Sequence, residues 1–443
     1  MIIMKNFKLF FLIIAVFPKL AFTQIYNVVE CSAPNPTFCL GIYSNKLIYG
    51  GYDTICNVKI NKIGEWNDTV WSSFGNGITP PTVGYPARAF AVYNGDLIVG
   101  GGFQFASFKN VNKIARWDGV DWHPMGTGLN GQFATELISS LIVYKGELYA
   151  AGRFNEINGL KNVHNIARWD GTTWKRVGTG LQGSFNEVYS MAVYKNELYV
   201  GGGFSDAGGI TAYNIAKWNG TTWSTVGLGT NEAVMKLYVD TIRNLLYVGG
   251  GFSAVNNNTL ASCIASWDGT NWSAMGNKTF TIDVSSMEMY HGYLYAGGLK
   301  FTDTCFARWD GLNWEVIDGP NGNVTSLQTY KDKLYLGGDF TMIGTDSIQY
   351  LASYYSPDSV FIGVEQHRLN SKIKLYPNPT KNVLNIVSET DFEHFSIYTI
   401  FGQELISNKL QENKIEISTL PSGVYILKLK NKDHLIQEWF LKE

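Results

Sequence analysis

Trp169-Asp170-Gly171-Thr172-Thr173-Trp174 is one member of a series. Trp117-Asp118-Gly119-Val120-Asp121-Trp122 precedes it. Trp218-Asn219-Gly220-Thr221-Thr222-Trp223, Trp267-Asp268-Gly269-Thr270-Asn271-Trp272 and Trp309-Asp310-Gly311-Leu312-Asn313-Trp314 follow it. A weaker first copy is Trp66-Asn67-Asp68-Thr69-Val70-Trp71, and the last decays to Tyr354-Tyr355-Ser356-Pro357. Successive anchors from Trp66 to Tyr354 lie 51, 52, 49, 49, 42 and 45 residues apart. Seven copies at this period predict an all-β chain folded as a seven-bladed β-propeller with four strands per blade.

Each copy resolves into four strands. Val188–Tyr194 alternates, Lys195-Asn196-Glu197 turns, Leu198–Phe204 is a second strand, and a polar loop leads to a third ending at Trp218. Asp-Gly and Asn-Gly between the third and fourth strands favour a two-residue type I′ turn. That turn predicts Trp169 opposite Thr172 and Ala167 opposite Trp174, with both indoles on one blade face. Ala115, Ala167, Ala216, Ala265, Ala307 and Ala352, with Gly64 in the first copy, supply a small residue beside each pair of large ones. Glycines at 100–102, 201–203 and 249–251 mark places where backbones approach closely. The propeller is expected over 25–364. Its last fourth strand is left to Ser359–Val364 or to Ile25–Cys31.

The flanks are of another kind. Lys5 and Lys8 precede an apolar run from Leu9 to Phe17 closed by Pro18, the pattern of a signal peptide over 1–23. A membrane-spanning helix needs about 20 apolar residues, and no later segment reaches that, so no transmembrane span is expected in the mature chain. Export permits disulfides. Of the five cysteines, Cys31 and Cys39 are close enough in sequence for a short loop, while Cys56, Cys263 and Cys305 read as buried thiols. With 35 Lys and Arg against 37 Asp and Glu, and no basic block, the chain lacks an electrostatic footprint for nucleic acid.

Leu198-Tyr199-Val200-Gly201-Gly202-Gly203-Phe204 followed by an aromatic hairpin resembles kelch-type repeats, and more closely the secreted propeller arrays of Bacteroidetes surface proteins. The Trp-x4-Trp spacing departs from the kelch pattern. After a polar linker, 365–373, residues 374–443 carry Leu375-Tyr376-Pro377-Asn378-Pro379, Val383-Leu384-Asn385-Ile386, Phe401-Gly402-Gln403-Glu404 and Ser422-Gly423-Val424-Tyr425-Ile426-Leu427-Lys428. These motifs resemble the type A sorting domain of the type IX secretion system. The resemblance implies a small Ig-like β-sandwich, recognition by the secretion machinery, and delivery to the medium or to the outer-membrane surface.

The repeated residues are scaffold, so chemistry is sought where copies differ. The six histidines do not stand at metal-ligand spacing, and no cofactor or metal motif appears. The Asp-Gly aspartates read as turn formers, because Asn219 replaces one of them. No sialidase arginine triad and no copper-oxidase His pair is found. Propeller geometry places the second-to-third-strand loops and the interblade loops on one face, where binding is expected. Phe105, Phe108, Phe133, Asn155, Asn158, His164, Gln182, Phe185 and Asn186 give that face an aromatic and amide character suited to a glycan or an envelope-protein ligand. A non-enzymatic binding or adhesion module is the leading expectation. The alternative is a polysaccharide-processing enzyme using Glu136, Glu156, Glu187, Asp206 or Glu232.

Overall fold

A computed structural model describes residues 25–28, 33, 35–79, 86–129, 135–183, 187–257, 259–276, 283–299, 305–317, 319–355, 374–388, 391–399, 404–410, 413–421, 423–431 and 435–442. The expected signal peptide, the linker and Ser359–Val364 lie outside the described residues. Seven four-stranded antiparallel sheets follow one another along residues 25–355. Blade four is representative, with Glu187–Tyr194, Glu197–Gly203, Ile215–Trp218 and Trp223–Thr225 adjacent in that order. Its first two strands meet through Lys195 and Asn196, both at positive φ. The type I′ turn therefore sits between strands one and two.

The Trp hairpin closes differently from the sequence expectation. Trp169 pairs with Trp174, and Ala167 with Arg176. Of the turn residues, Gly171 alone has positive φ, at 104°. Asp170 instead accepts the N–H groups of Thr172 and Thr173 on Oδ1, each at 2.8 Å. An aspartate that can satisfy two turn donors itself favours this four-residue loop over the two-residue turn. Asn219 repeats the arrangement with Thr221 and Thr222 at 2.8 and 2.9 Å. Both indoles remain on one face, 5.4 Å apart in blade three.

Blades are joined at three radii. At the rim of blades two to six, the second Trp of the hairpin donates its indole N–H to a carbonyl of the preceding blade. Trp122 reaches Phe74, Trp174 reaches Met125, Trp223 reaches Val177 and Trp314 reaches Met275, at 2.8 to 3.1 Å. Trp122, Trp174, Trp223 and Trp314 are buried at 8% exposure or less, each contributing roughly 2–3 kcal/mol from apolar area. Where the first strand ends, Tyr144 and Tyr194 donate to Asn196 and Asn244 in the following blade, at 2.9 and 2.7 Å. Blade five has Asp240 in place of this tyrosine. There Arg243, paired with Asp240 at 2.9 Å, donates to Gly292 of blade six. At the centre, Ser140 and Ser190 accept the N–H groups of Met191 and Leu237, at 3.1 and 3.0 Å. An inner strand has an unpaired edge, and these hydroxyls occupy part of it.

The ring is closed from the N-terminus. Ile25–Val28 pairs antiparallel with Leu351–Tyr355, matching Ile25 with Tyr355 and Val28 with Ala352. Ser326 accepts the Leu40 N–H at 2.9 Å, and Tyr330 donates to Asn45 at 3.0 Å, so blade seven meets blade one through the contacts used elsewhere.

The cysteines differ from expectation. Cys39 is a free, buried thiol that donates to the Ala87 carbonyl of blade two at 3.3 Å, so its sulfur is directed into a blade interface. Cys56 is disulfide-bonded, and Cys31 lies outside the described residues. Cys305 is buried and donates to the Pro320 carbonyl at 2.7 Å, whereas Cys263 is only partly buried.

Residues 374–442 form a three-stranded sheet (Lys374–Tyr376, Val383–Val387, Lys414–Glu416) and a four-stranded one (His394–Thr399, Glu404–Lys409, Gly423–Lys430, Leu435–Lys442). Leu384, Ile397, Ile415, Leu427 and Leu429 are buried in one core, the packing of a small sandwich.

Candidate functional site

The inner strands surround a channel of about 640 Å³. Its shape follows from a defect repeated in six blades. In the inner strands of blades two to seven, the pairing register slips by one residue, at Arg88, Ser139, Tyr189, Met235, Ser285 and Thr325. Each slip is a β-bulge, which leaves one residue unpaired. All six bulged residues line the channel, and Phe38 of blade one joins them. The bulge also explains the glycine doublet. A Cβ on Gly202 would stand 2.2 Å from the Glu187 carbonyl, and one on Gly152 would stand 2.2 Å from that of Leu137.

The bulges lie near the start of each inner strand. Antiparallel pairing puts them beside the second-to-third-strand connections, so the channel opens on that face. Those connections are ordered small hairpins, such as Phe105–Ala106 with Lys109–Asn110 and Glu156–Ile157 with Leu160–Lys161. Phe103, Phe154, Phe204 and Phe252 are buried beneath them, with Ala106, Ile157, Ala207 and Val255. An aromatic followed three residues later by an aliphatic recurs in the sequence and could have revealed these hairpins.

The mouth is charged and aromatic. The Arg88 guanidinium lies 5.3 Å from the Phe38 ring centroid, and Phe38 lies 5.6 Å from Tyr52. Arg153 donates Nε and Nη2 to the Thr135 carbonyl at 2.9 and 2.7 Å, while Nη1 faces Glu187 at 3.6 Å. Burial pushes the Glu187 carboxyl up, with Arg153 and Arg88 opposing it. Burial likewise raises the neighbouring Tyr189 phenol. On the opposite wall, burial pushes the Lys236 ammonium down against the pull of Glu288. Glu288 in turn accepts the Thr329 N–H at 3.2 Å. Sequence reasoning missed Phe38, Arg88, Arg153, Tyr189 and Lys236. A faint signal was present in Val188-Tyr189-Ser190, Val284-Ser285-Ser286 and Val324-Thr325-Ser326, where the middle residue is the bulge.

The residues expected from sequence lie on the hairpins of blades two and three and beyond. Phe108 is 83% exposed at a hairpin turn, and Phe105 is half-buried. Asn155 and Gln182 are exposed. Asn158 accepts the Thr127 N–H and hydroxyl at 2.8 and 3.1 Å, and His164 Nδ1 meets the Thr179 carbonyl at 2.8 Å. Those two side chains stitch their hairpin to adjoining segments of the face. Phe133, Phe185 and Asn186 lie outside the described residues.

Of the five carboxylates considered, the structure brings two together. Glu136 is 8% exposed, and its Oε2 has no hydrogen-bond partner. Burial, reinforced by Glu156, raises its carboxyl, and Lys113 opposes that shift. Glu187 belongs to the channel mouth, Asp206 caps the Gly209 N–H at 3.0 Å, and Glu232 is exposed. Among the described residues, no group of three or more His, Cys, Asp or Glu side chains is placed to hold a metal ion.

Residues 374–443 match the secretion system C-terminal sorting domain family. A stretch of 64 residues is 33% identical to beta-agarase D of Zobellia galactanivorans, covering 14% of this chain and 13% of that one. Among solved structures, PorZ, a surface component of the type IX secretion system of Porphyromonas gingivalis, aligns with a TM-score of 0.50 at 12% identity. The alignment covers 93% of this chain and 60% of PorZ. The extracellular domain of a one-component system of B. thetaiotaomicron gives 0.48 at 14% identity, over 94% and 58%. The chain thus spans about an eighth of the agarase and three fifths of PorZ, and the likeness to PorZ is one of fold. The sorting domain marks the protein for the type IX system, so it is secreted or displayed at the cell surface. No helix among the described residues is long and apolar enough to cross a membrane.

Proposed function

We propose that this exported propeller is a non-enzymatic binding module whose ligand, a glycan, enters the channel from the hairpin face. The observation that carries this reading is the bulge ring. The six bulged residues and Phe38, one from each of the seven blades, are among those lining a space of about 640 Å³, within the range of small-ligand sites. Inner strands stitched to their neighbours hold those side chains, so little ordering is needed on binding. The rim residues Phe105, Phe108, Asn155 and Gln182 extend the surface for a longer chain, with Asn158 and His164 fixing the hairpin beneath. A glycan array probed with the mature protein tests the reading. Retained binding without turnover is expected, and an array with no bound glycan would sink it.

A second reading, polysaccharide cleavage, is favoured by one observation. Glu136 and Glu156 are neighbouring carboxylates in unlike surroundings, the arrangement that separates a general acid from a base. The folded Glu136 carboxyl is raised, so its favourable contribution exists below the ordinary carboxylate range and is lost as pH rises. Glu136→Gln should therefore raise the denaturation midpoint at about pH 8 and leave it unchanged near pH 3.5. Turnover that this variant abolishes would establish the second reading, whereas glycan binding without turnover removes it.

A further inference from the structure

We infer that the channel mouth selects an acidic saccharide, one bearing carboxylate or sulfate groups, through Arg88 and Arg153, with its ring against Phe38 and Tyr189. The inference rests on the binding reading and specifies its ligand. Two features of the mouth carry it.

The first is charge. Arg88 and Lys236 line the channel with Glu187 as the one lining carboxylate among the described residues, and Arg153 stands 3.6 Å from Glu187. Among the described residues, the two guanidinium groups on that side face one carboxylate, so positive charge predominates along that stretch of the concave wall. Such walls concentrate the field on a ligand of opposite sign. The Arg153–Glu187 separation exceeds a hydrogen bond, so Nη1 is not committed to Glu187 and can donate to an anion seated beside it while Nε and Nη2 stay on Thr135. Arginine is suited to that exchange because its fork matches a carboxylate or sulfate edge.

The second feature is aromatic. Phe38 and Tyr189 are partly exposed and line the same channel. An aromatic face beside cationic donors accommodates the apolar C–H face of a sugar while the acid group is held in-plane by arginine. A bare inorganic anion would leave those rings unused.

The test is calorimetric titration of the mature full-length protein with trigalacturonate, with a sulfated galactose trisaccharide, and with neutral galactotriose. At least one acidic trisaccharide should bind ten or more times tighter than the neutral one, and the two acidic arms identify the preferred anion. Binding should weaken as salt rises. Arg88→Met and Arg153→Met should each lower the affinity at least tenfold. Glu187→Gln should raise it, an opposite sign that damage to the fold cannot mimic. Equal binding of acidic and neutral sugars, or unchanged affinity in a folded Arg88→Met protein, overturns the inference. Array binding confined to neutral glycans overturns it too while leaving the binding reading intact, whereas an array with no bound glycan removes both.

Discussion

Deleting Ile25–Val28 should lower the denaturation midpoint sharply and make the protein prone to associate. The segment is short, but it is the fourth strand of blade seven, matched over four residue pairs with Leu351–Tyr355. Losing those backbone hydrogen bonds costs about 4 kcal/mol at roughly 1 kcal/mol each. That is a large share of the net stability of most domains. The deletion also leaves Leu351–Tyr355 as an open strand edge, which templates pairing with other chains. Thermal melts and light scattering on the deleted and intact proteins measure both effects. An unchanged midpoint would reject closure by the N-terminal strand.

Gly202→Ala should be the most damaging single methyl in blade four. Its Cβ would sit 2.2 Å from the Glu187 carbonyl oxygen, and both partners are backbone atoms of one bulged hairpin. No rotamer change relieves such a clash, so we expect a loss of roughly 3 kcal/mol or more. Gly201 is different. Its added Cβ would meet Val234 Cγ1 of the next blade at 2.4 Å. Blade three already has Ala151 at the equivalent place, also paired with the first residue of its third strand. Gly201→Ala should therefore cost less, and Val234→Ala should partly rescue it. The same Val234→Ala change should leave Gly202→Ala unrescued. Denaturant titration of the single and double variants supplies the cycle. Equal costs at 201 and 202 would contradict the bulge as the reason for the second glycine.

Much of the scaffold was legible because its signals are local. A Trp hairpin, a type I′ turn and an alternating strand each depend on a few consecutive residues, and seven repetitions remove ambiguity. The register of that hairpin was misread for a reason equally local. The Asp170 side chain competes for the turn N–H groups, and Asp-Gly read as a dipeptide does not weigh that competition. The loop face was read as irregular although its hairpins repeat, because their strands are two residues long and too short for an alternation to register.

The candidate site was nearly invisible for a different reason. A bulged residue faces the channel and packs against no repeated partner, so its identity drifts from Arg88 to Ser139 to Tyr189. Phe38, Arg88, Arg153 and Glu187 come from four successive blades and meet only where the inner strands converge. The cysteines carry the same lesson. Proximity in sequence suggested Cys31 with Cys39, yet Cys39 points into the neighbouring blade and Cys56 carries the disulfide.

By itself the sequence determined the number of blades, the strands within them, the small sandwich that follows and its role as a secretion address, since each is written in contiguous residues. The tertiary structure alone decided that Ile25–Val28 closes the ring against strand residues more than three hundred positions away. It also decided which side chains share the channel. Both depend on closing a circle, and a closure condition is a property of the whole chain that no window of residues contains.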